Sequence, residues 1–223
     1  MTDSVKNANL NNEAKEAKTA IEHGENIRDA VRNITLAALK KGRLDAREIK
    51  RVVRSVMRGA TLGASKVGTQ SQQALSDAVA GIDEALAKSA EASKLAIEEA
   101  AGRLRDYGKR DLERAFNDMH TLEGMFLDTL KEVADQSAGE AREILHGLLR
   151  HARDSGTKAG ETAKSAIAAL EKKFGRTLRE VAATGADIAL STSSNLAEAA
   201  SGFLAGIAEA LDTQAKNMRN AKK

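Results

Sequence analysis

The sequence predicts an all-α protein of long amphipathic helices, arranged as an elongated antiparallel bundle or coiled coil. Three observations carry that prediction. Apolar or small residues recur every eleven positions through most of the chain, the 223 residues include no proline, and aromatic residues make up only 2%. Average usage of about 5% would give roughly eleven prolines, so nothing here breaks helices in the usual way. Alanine is the largest single contributor to the hydrophobic fraction of 42%. Small side chains suit helices packed closely together or laid on an external apolar surface, whereas a thick core draws on aromatics that bury about 150–250 Å² each.

The eleven-residue repeat is explicit. Steps from Leu75 give Leu86, Ile97, Gly108, Met119, Leu130, Ala141, Ala152, Ala163, Phe174, Gly185, Leu196 and Ile207. A companion row holds Ile82, Leu104, Phe126, Leu148, Leu170, Val181 and Phe203. A third, from Val79 through Leu145, Ile167 and Leu178 to Leu211, is broken only at Glu123. Eleven residues in three turns is about 3.67 per turn, close to the relaxed helix value of about 3.6, so the stripe stays on one side of a nearly straight helix.

Taken in order, residues 1–24 are polar and Asn-rich and are expected to be disordered, with at most a weak helix through Glu13–Ile21. Residues 25–70 form a basic amphipathic arm. A helix over 26–41 places Ile27, Val31, Ile34 and Ala38 on one face, and Gly42 suits its C-terminus. Asp45 with Glu48 forms a capping box, with Leu44 and Ile49 placed for a hydrophobic staple. The helix so opened carries Arg47, Lys50, Arg51, Arg54 and Arg58 on one side. Residues 59–73 thin into glycine and small polar residues, a bend or weak helix.

Residues 71–212 carry the repeat, and a Lys-rich tail closes the chain at 213–223. One unbroken helix over 75–211 would be about 200 Å long. Its exposed stripe requires it to fold back, oligomerise or bind a surface. The polar clusters at 135–140, 154–160 and 191–195 are the expected bends.

Composition excludes several classes of function. With no cysteine there are no disulfides or thiolate metal sites. The first thirty residues hold no apolar run, so no signal peptide is expected, and no stretch approaches the ~18 apolar residues of a membrane span. A cytoplasmic protein is expected, associated with an inclusion if its stripe coats one. A net charge of +3, from 35 basic and 32 acidic residues, argues against bulk nucleic-acid binding.

Histidines 23, 120, 146 and 151 are scattered. Glu143 and His146 show a Glu-x-x-His spacing, but a di-iron bundle needs that motif twice. No metal site, cofactor or catalytic constellation is expected, and the protein reads as non-enzymatic. The basic side of 43–58 has two readings: attraction to lipid or nucleic-acid phosphates, or a solvated face paired with acidic helices of the same chain.

The runs SQQALSDAVAGIDEALAKSAEASKLAIEEA (71–100) and KSAIAALEKKFGRTLREVAATGADIALS (164–191) resemble phasins, the proteins that coat polyhydroxyalkanoate storage granules. The likeness is one of character and carries no catalytic motif. The eleven-residue logic is also similar to that of exchangeable apolipoproteins and desiccation-linked late-embryogenesis proteins. The resemblance implies a coat whose stripe binds a hydrophobic granule or lipid surface while charged faces keep the particle dispersed. Leu75, Ile82, Leu86, Ile97, Leu104, Met119, Phe126, Leu130, Phe174, Leu178, Phe203 and Ile207 would make that contact. The alternatives are a helical scaffold that binds protein partners or its own copies as a homo-oligomer, and a nucleoid-type DNA binder using the basic helix.

Overall fold

The computed structural model describes residues 11–24, 26–41, 46–102 and 109–183. Among them are seven α-helices and no strand: α1 (Asn12–His23), α2 (Ile27–Lys41), α3 (Ala46–Ala64), α4 (Ser71–Gly102), α5 (Lys109–Gln136), α6 (Gly139–Ser155) and α7 (Lys158–Ala183), with a 3-10 turn at Gly68–Gln70 before α4. The all-α bundle expected from the repeat is present. The long α4, 32 residues, spans about 48 Å at 1.5 Å per residue.

One apolar core joins the segments that composition had divided. Ile21 of α1, Val31 and Leu39 of α2, Val52 and Met57 of α3, Leu75 and Ile82 of α4, Phe126 of α5, Leu145 of α6 and Leu170 of α7 belong to a single buried cluster. Helix α1 packs on α3, α2 on α4, α3 on α5, and α7 against both α4 and α5. The 25–70 arm therefore shares its core with the repeat region.

The N-terminal expectation needs correction. Residues 12–23 form a packed helix with Ala14, Ala17 and Ile21 buried. A polar composition had hidden these apolar positions at helical spacing. The partner that makes the helix worth forming is α3, whose Gly59 and Gly63 admit α1 at close range. A Cβ built on Gly59 would collide with the backbone of Ala14, and one on Gly63 would lie 2.7 Å from the Ile21 Cβ. Those glycines are interior to α3, which runs on to Ala64 where a bend or weak helix was expected.

Two of the expected bends are turns. Ser137 and Ala138 separate α5 from α6, and Gly156 and Thr157 separate α6 from α7. Helix α6 doubles back along α5: His146 lies 3.3 Å from Asp135 near the turn, and Thr157, past the far end of α6, meets Glu123 at 3.1 Å. Described helix α4 runs to Gly102 and α5 starts at Lys109, and residues 103–108 lie outside the described residues. Gly42, Leu44, Asp45 and the bend at 191–195 lie outside the described residues.

Three buried hydroxyls are satisfied within their own helices. Thr35, Ser89 and Thr129 donate to the carbonyls of Val31, Ala85 and Met125 at 2.7–2.9 Å. This lets polar residues occupy apolar faces without leaving an unpaired donor.

Candidate functional site

The stripe lies inside. Leu75, Ile82, Leu86, Met119, Phe126 and Leu130 are all 4% exposed or less. The period of the repeat brings them together on the faces where α4 and α5 meet their neighbours. The side chains of Ile97, Phe174 and Leu178, with Leu104, Phe203 and Ile207 as a whole, lie outside the described residues. Among the described residues Leu95, 44% exposed, is the one large hydrophobic side chain left open to solvent. Among the described residues the apolar side of the stripe is therefore covered by neighbouring helices.

The basic side of α3 is largely occupied by carboxylates and an amide. Arg51 bridges Glu48 (2.8 Å) and Glu13 of α1 (2.5 Å). Arg54 and Lys50 converge on Glu132 of α5 at 2.6 and 3.6 Å, and Arg58 donates to Gln136 at 2.5 Å. The Arg54 guanidinium holds Glu132 below the usual carboxylate range despite partial burial. Burial alone would raise Glu13, but its hydrogen bonds, that from Arg51 among them, bring it below its ordinary value. Arg47 is exposed. Four of the five cations thus serve as ties between α3 and its neighbours, the reading in which this face pairs with the protein's own acidic residues.

The most developed polar arrangement sits at the start of α7, and sequence reasoning missed it. Thr157 is the N-cap of that helix: its hydroxyl accepts the Gly160 amide at 2.9 Å. Two further amides of the first turn are capped from another helix. Asp83 of α4 accepts Lys158 N–H and Ala159 N–H, each at 2.9 Å. Glu123 of α5 accepts both the amide and the hydroxyl of Thr157 at 3.1 Å and pairs with Lys164 at 3.0 Å. Glu84, beside Asp83, gathers Lys158 (2.9 Å), Arg32 (3.2 Å) and Arg28.

The three carboxylates are shifted in different directions. Burial pushes Asp83 up, against the two amides that favour its charge and with Glu123 nearby adding to the rise. Burial also acts on Glu84, but Lys158, Arg28 and Arg32 outweigh it and hold that carboxyl down to about 2. Glu123 is likewise lowered, by Lys164 and Thr157 against burial. Positive charge at 158 and 164 and the positive end of the α7 dipole make this corner attractive to anionic side chains. The sequence held one trace of it: Glu123 is the position at which the third apolar row fails.

Among the described residues no group of three or more His, Asp or Glu side chains is placed to hold a metal, and none of the helices is long and apolar enough to cross a membrane. A scan of family models matches residues 2–213. The chain belongs to DUF6781, a family of unknown function. The match spans every described helix, so the described stripe residues, the α3 ties and the polar arrangement at the start of α7 are all within the DUF6781 region. No curated protein and no solved structure matches the chain.

Proposed function

We propose that this protein is a non-enzymatic coat that works by opening. Its helices separate and the stripe moves from the core of the bundle to the surface of a hydrophobic inclusion or lipid layer, as the phasin resemblance implies. The observation that carries the reading is the identity of the buried residues. Leu75, Ile82, Leu86, Met119, Phe126 and Leu130, which fill the core, also fall on two rows of one eleven-residue repeat. When α4 and α5 separate, those rows present continuous apolar faces with charge opposite. A core built for a closed bundle alone has no need of rows kept in phase from one helix to the next.

Two further features support opening. Alanine occupies many buried positions, including Ala78, Ala85, Ala90, Ala159, Ala163 and Ala166, and each contributes little at about 25 cal/mol per Å² of apolar area. Transfer to another apolar surface replaces that contribution directly. The α6–α7 corner also pivots on Gly156, at φ 77°, a conformation readily available only to glycine.

A reversible lock tests this. The chain has no cysteine, so the pair Asp83→Cys and Ala159→Cys creates the only possible disulfide, between α4 and α7. The reduced and oxidised proteins are mixed with poly(3-hydroxybutyrate) particles and with phospholipid vesicles and floated at low and high salt. Binding when reduced, insensitive to salt and lost on oxidation, is the expected outcome. No flotation in either state overturns the coat and directs attention to protein partners and self-association. Binding that vanishes with salt in both states points to the charged faces instead.

A further inference from the structure

Helix α7 joins the bundle through an alanine-rich apolar contact and a set of polar bonds at its start. Its described buried face is Ala159, Ala163, Ala166, Ile167 and Leu170, three of the five being alanine. At about 0.8 kcal/mol per buried methylene, such a face holds far less than an equal run of leucine. Its described polar attachment lies in its first two turns, where Asp83 and Glu123, from two different helices, hold the amides of residues 157–159, Lys158 pairs with Glu84 and Lys164 with Glu123. Gly160 completes the seat, since a Cβ there would collide with the Glu123 carboxylate. Immediately before the seat, Gly156 holds φ 77°, a conformation readily available only to glycine. By contrast α1, at the other end of the described chain, is held by backbone-close packing on Gly59 and Gly63.

We propose that α7 is a strap that detaches from α4 and α5 about Gly156 while α1–α5 remain packed, and that Asp83 and Glu123 are the clip that keeps it closed. This inference rests on the reading that the bundle opens, and it names the place where opening begins. Helix α6 stays on α5, where Leu145 and Leu149 are buried and His146 meets Asp135. Release leaves the α7-facing sides of α4 and α5 uncovered first. A clip of carboxylates and amides suits such a joint: it is directional and short-ranged, so it gives way within a small displacement, whereas apolar contact yields gradually.

The test is hydrogen exchange of the full chain at neutral pH, read by peptide mass spectrometry with no particle or vesicle present. The clip is removed in the Asp83→Ala/Glu123→Ala double variant. Thr157→Val, which keeps side-chain volume but loses both hydroxyl bonds, serves as a milder second variant should the double variant fail to fold. The expected result is a rise of tenfold or more in exchange over residues 158–172, with residues 49–60 and 75–92 unchanged. A uniform rise in every helix, or none in α7, overturns the strap. Flotation of the same proteins separates the two readings. Selective exchange without flotation keeps the strap and removes the coat; flotation with uniform exchange keeps the coat and removes the strap.

Discussion

Glu123 of α5 accepts both the backbone amide and the side-chain hydroxyl of Thr157 at 3.1 Å, joining the middle of one long helix to the first turn of another. Replacing Glu123 with alanine removes both bonds and the Lys164 pair. Bonds to a charged acceptor contribute about 1.5–3 kcal/mol each at most, and partial exposure reduces this. The expected loss is about 1–2 kcal/mol by urea unfolding, with Glu123→Gln intermediate because it keeps an acceptor. A loss below about 0.3 kcal/mol means that water replaces the clip.

Gly160 gives a sharper form of the same prediction. An alanine there gains up to about 1 kcal/mol in helix propensity, but its Cβ claims the space of the Glu123 carboxylate. That carboxylate ends a flexible side chain and withdraws, taking the Thr157 bonds with it. Gly160→Ala should therefore destabilise the wild-type protein by about 1 kcal/mol and stabilise the Glu123→Ala variant, a change of sign in a double-mutant cycle. Additive effects rule out the shared seat.

Acid should release the same corner. Glu84 is held down to about 2 by Lys158, Arg28 and Arg32 against its burial, and Glu123 is lowered by Lys164 and Thr157. Each favours the folded state when ionised. That stability is fully present above about pH 4.5, the ordinary glutamate value, and is lost as pH falls through the lower folded values. Asp83 has the opposite sign, since burial raises it and the folded protein favours its neutral form. The melting temperature should fall steeply between about pH 4.5 and 2, followed by circular dichroism. In Glu84→Gln/Glu123→Gln the slope over that range should flatten; an unchanged slope assigns the acid sensitivity elsewhere.

The buried stripe should dominate stability. Leu86 is fully buried, and Leu86→Ala should cost about 2–5 kcal/mol through lost transfer energy and the cavity left behind. Leu95, on the same helix but 44% exposed, should change by less than about 0.5 kcal/mol. Equal costs at the two sites, read from urea midpoints, contradict the placement of the seam.

Helix-level structure was legible because periodicity states which residues avoid water. Leu75, Ile82, Leu86, Phe126 and Leu130 were identified as one stripe, and the clusters at 135–140 and 154–160 as turns. Periodicity does not state which helix answers which. Asp83 meets Lys158 and Ala159 across more than seventy residues, and Arg54 meets Glu132 across seventy-eight. Neither pairing leaves a local mark. Ala14, Ala17 and Ile21 were too few to declare a packed helix until Gly59 and Gly63 supplied the surface that accepts them.

Two glycines at mid-helix positions should respond in opposite directions to the same change. Gly124, in α5, has nothing within 4 Å of the point where a Cβ would stand. Gly124→Ala should therefore stabilise by up to about 1 kcal/mol, from helix propensity and a less flexible unfolded chain. Gly59, in α3, gains the same propensity, but the added methyl meets the Ala14 carbonyl and Cα. Those are backbone atoms and cannot turn aside as a side chain does, so α1 must shift as a body and lose its fit against Gly63. Gly59→Ala should lower the melting temperature, with exchange in residues 12–23 rising more than elsewhere. If both variants melt higher than the wild type, α1 does not sit on α3 at the depth described, and its burial of Ala14, Ala17 and Ile21 must have another support.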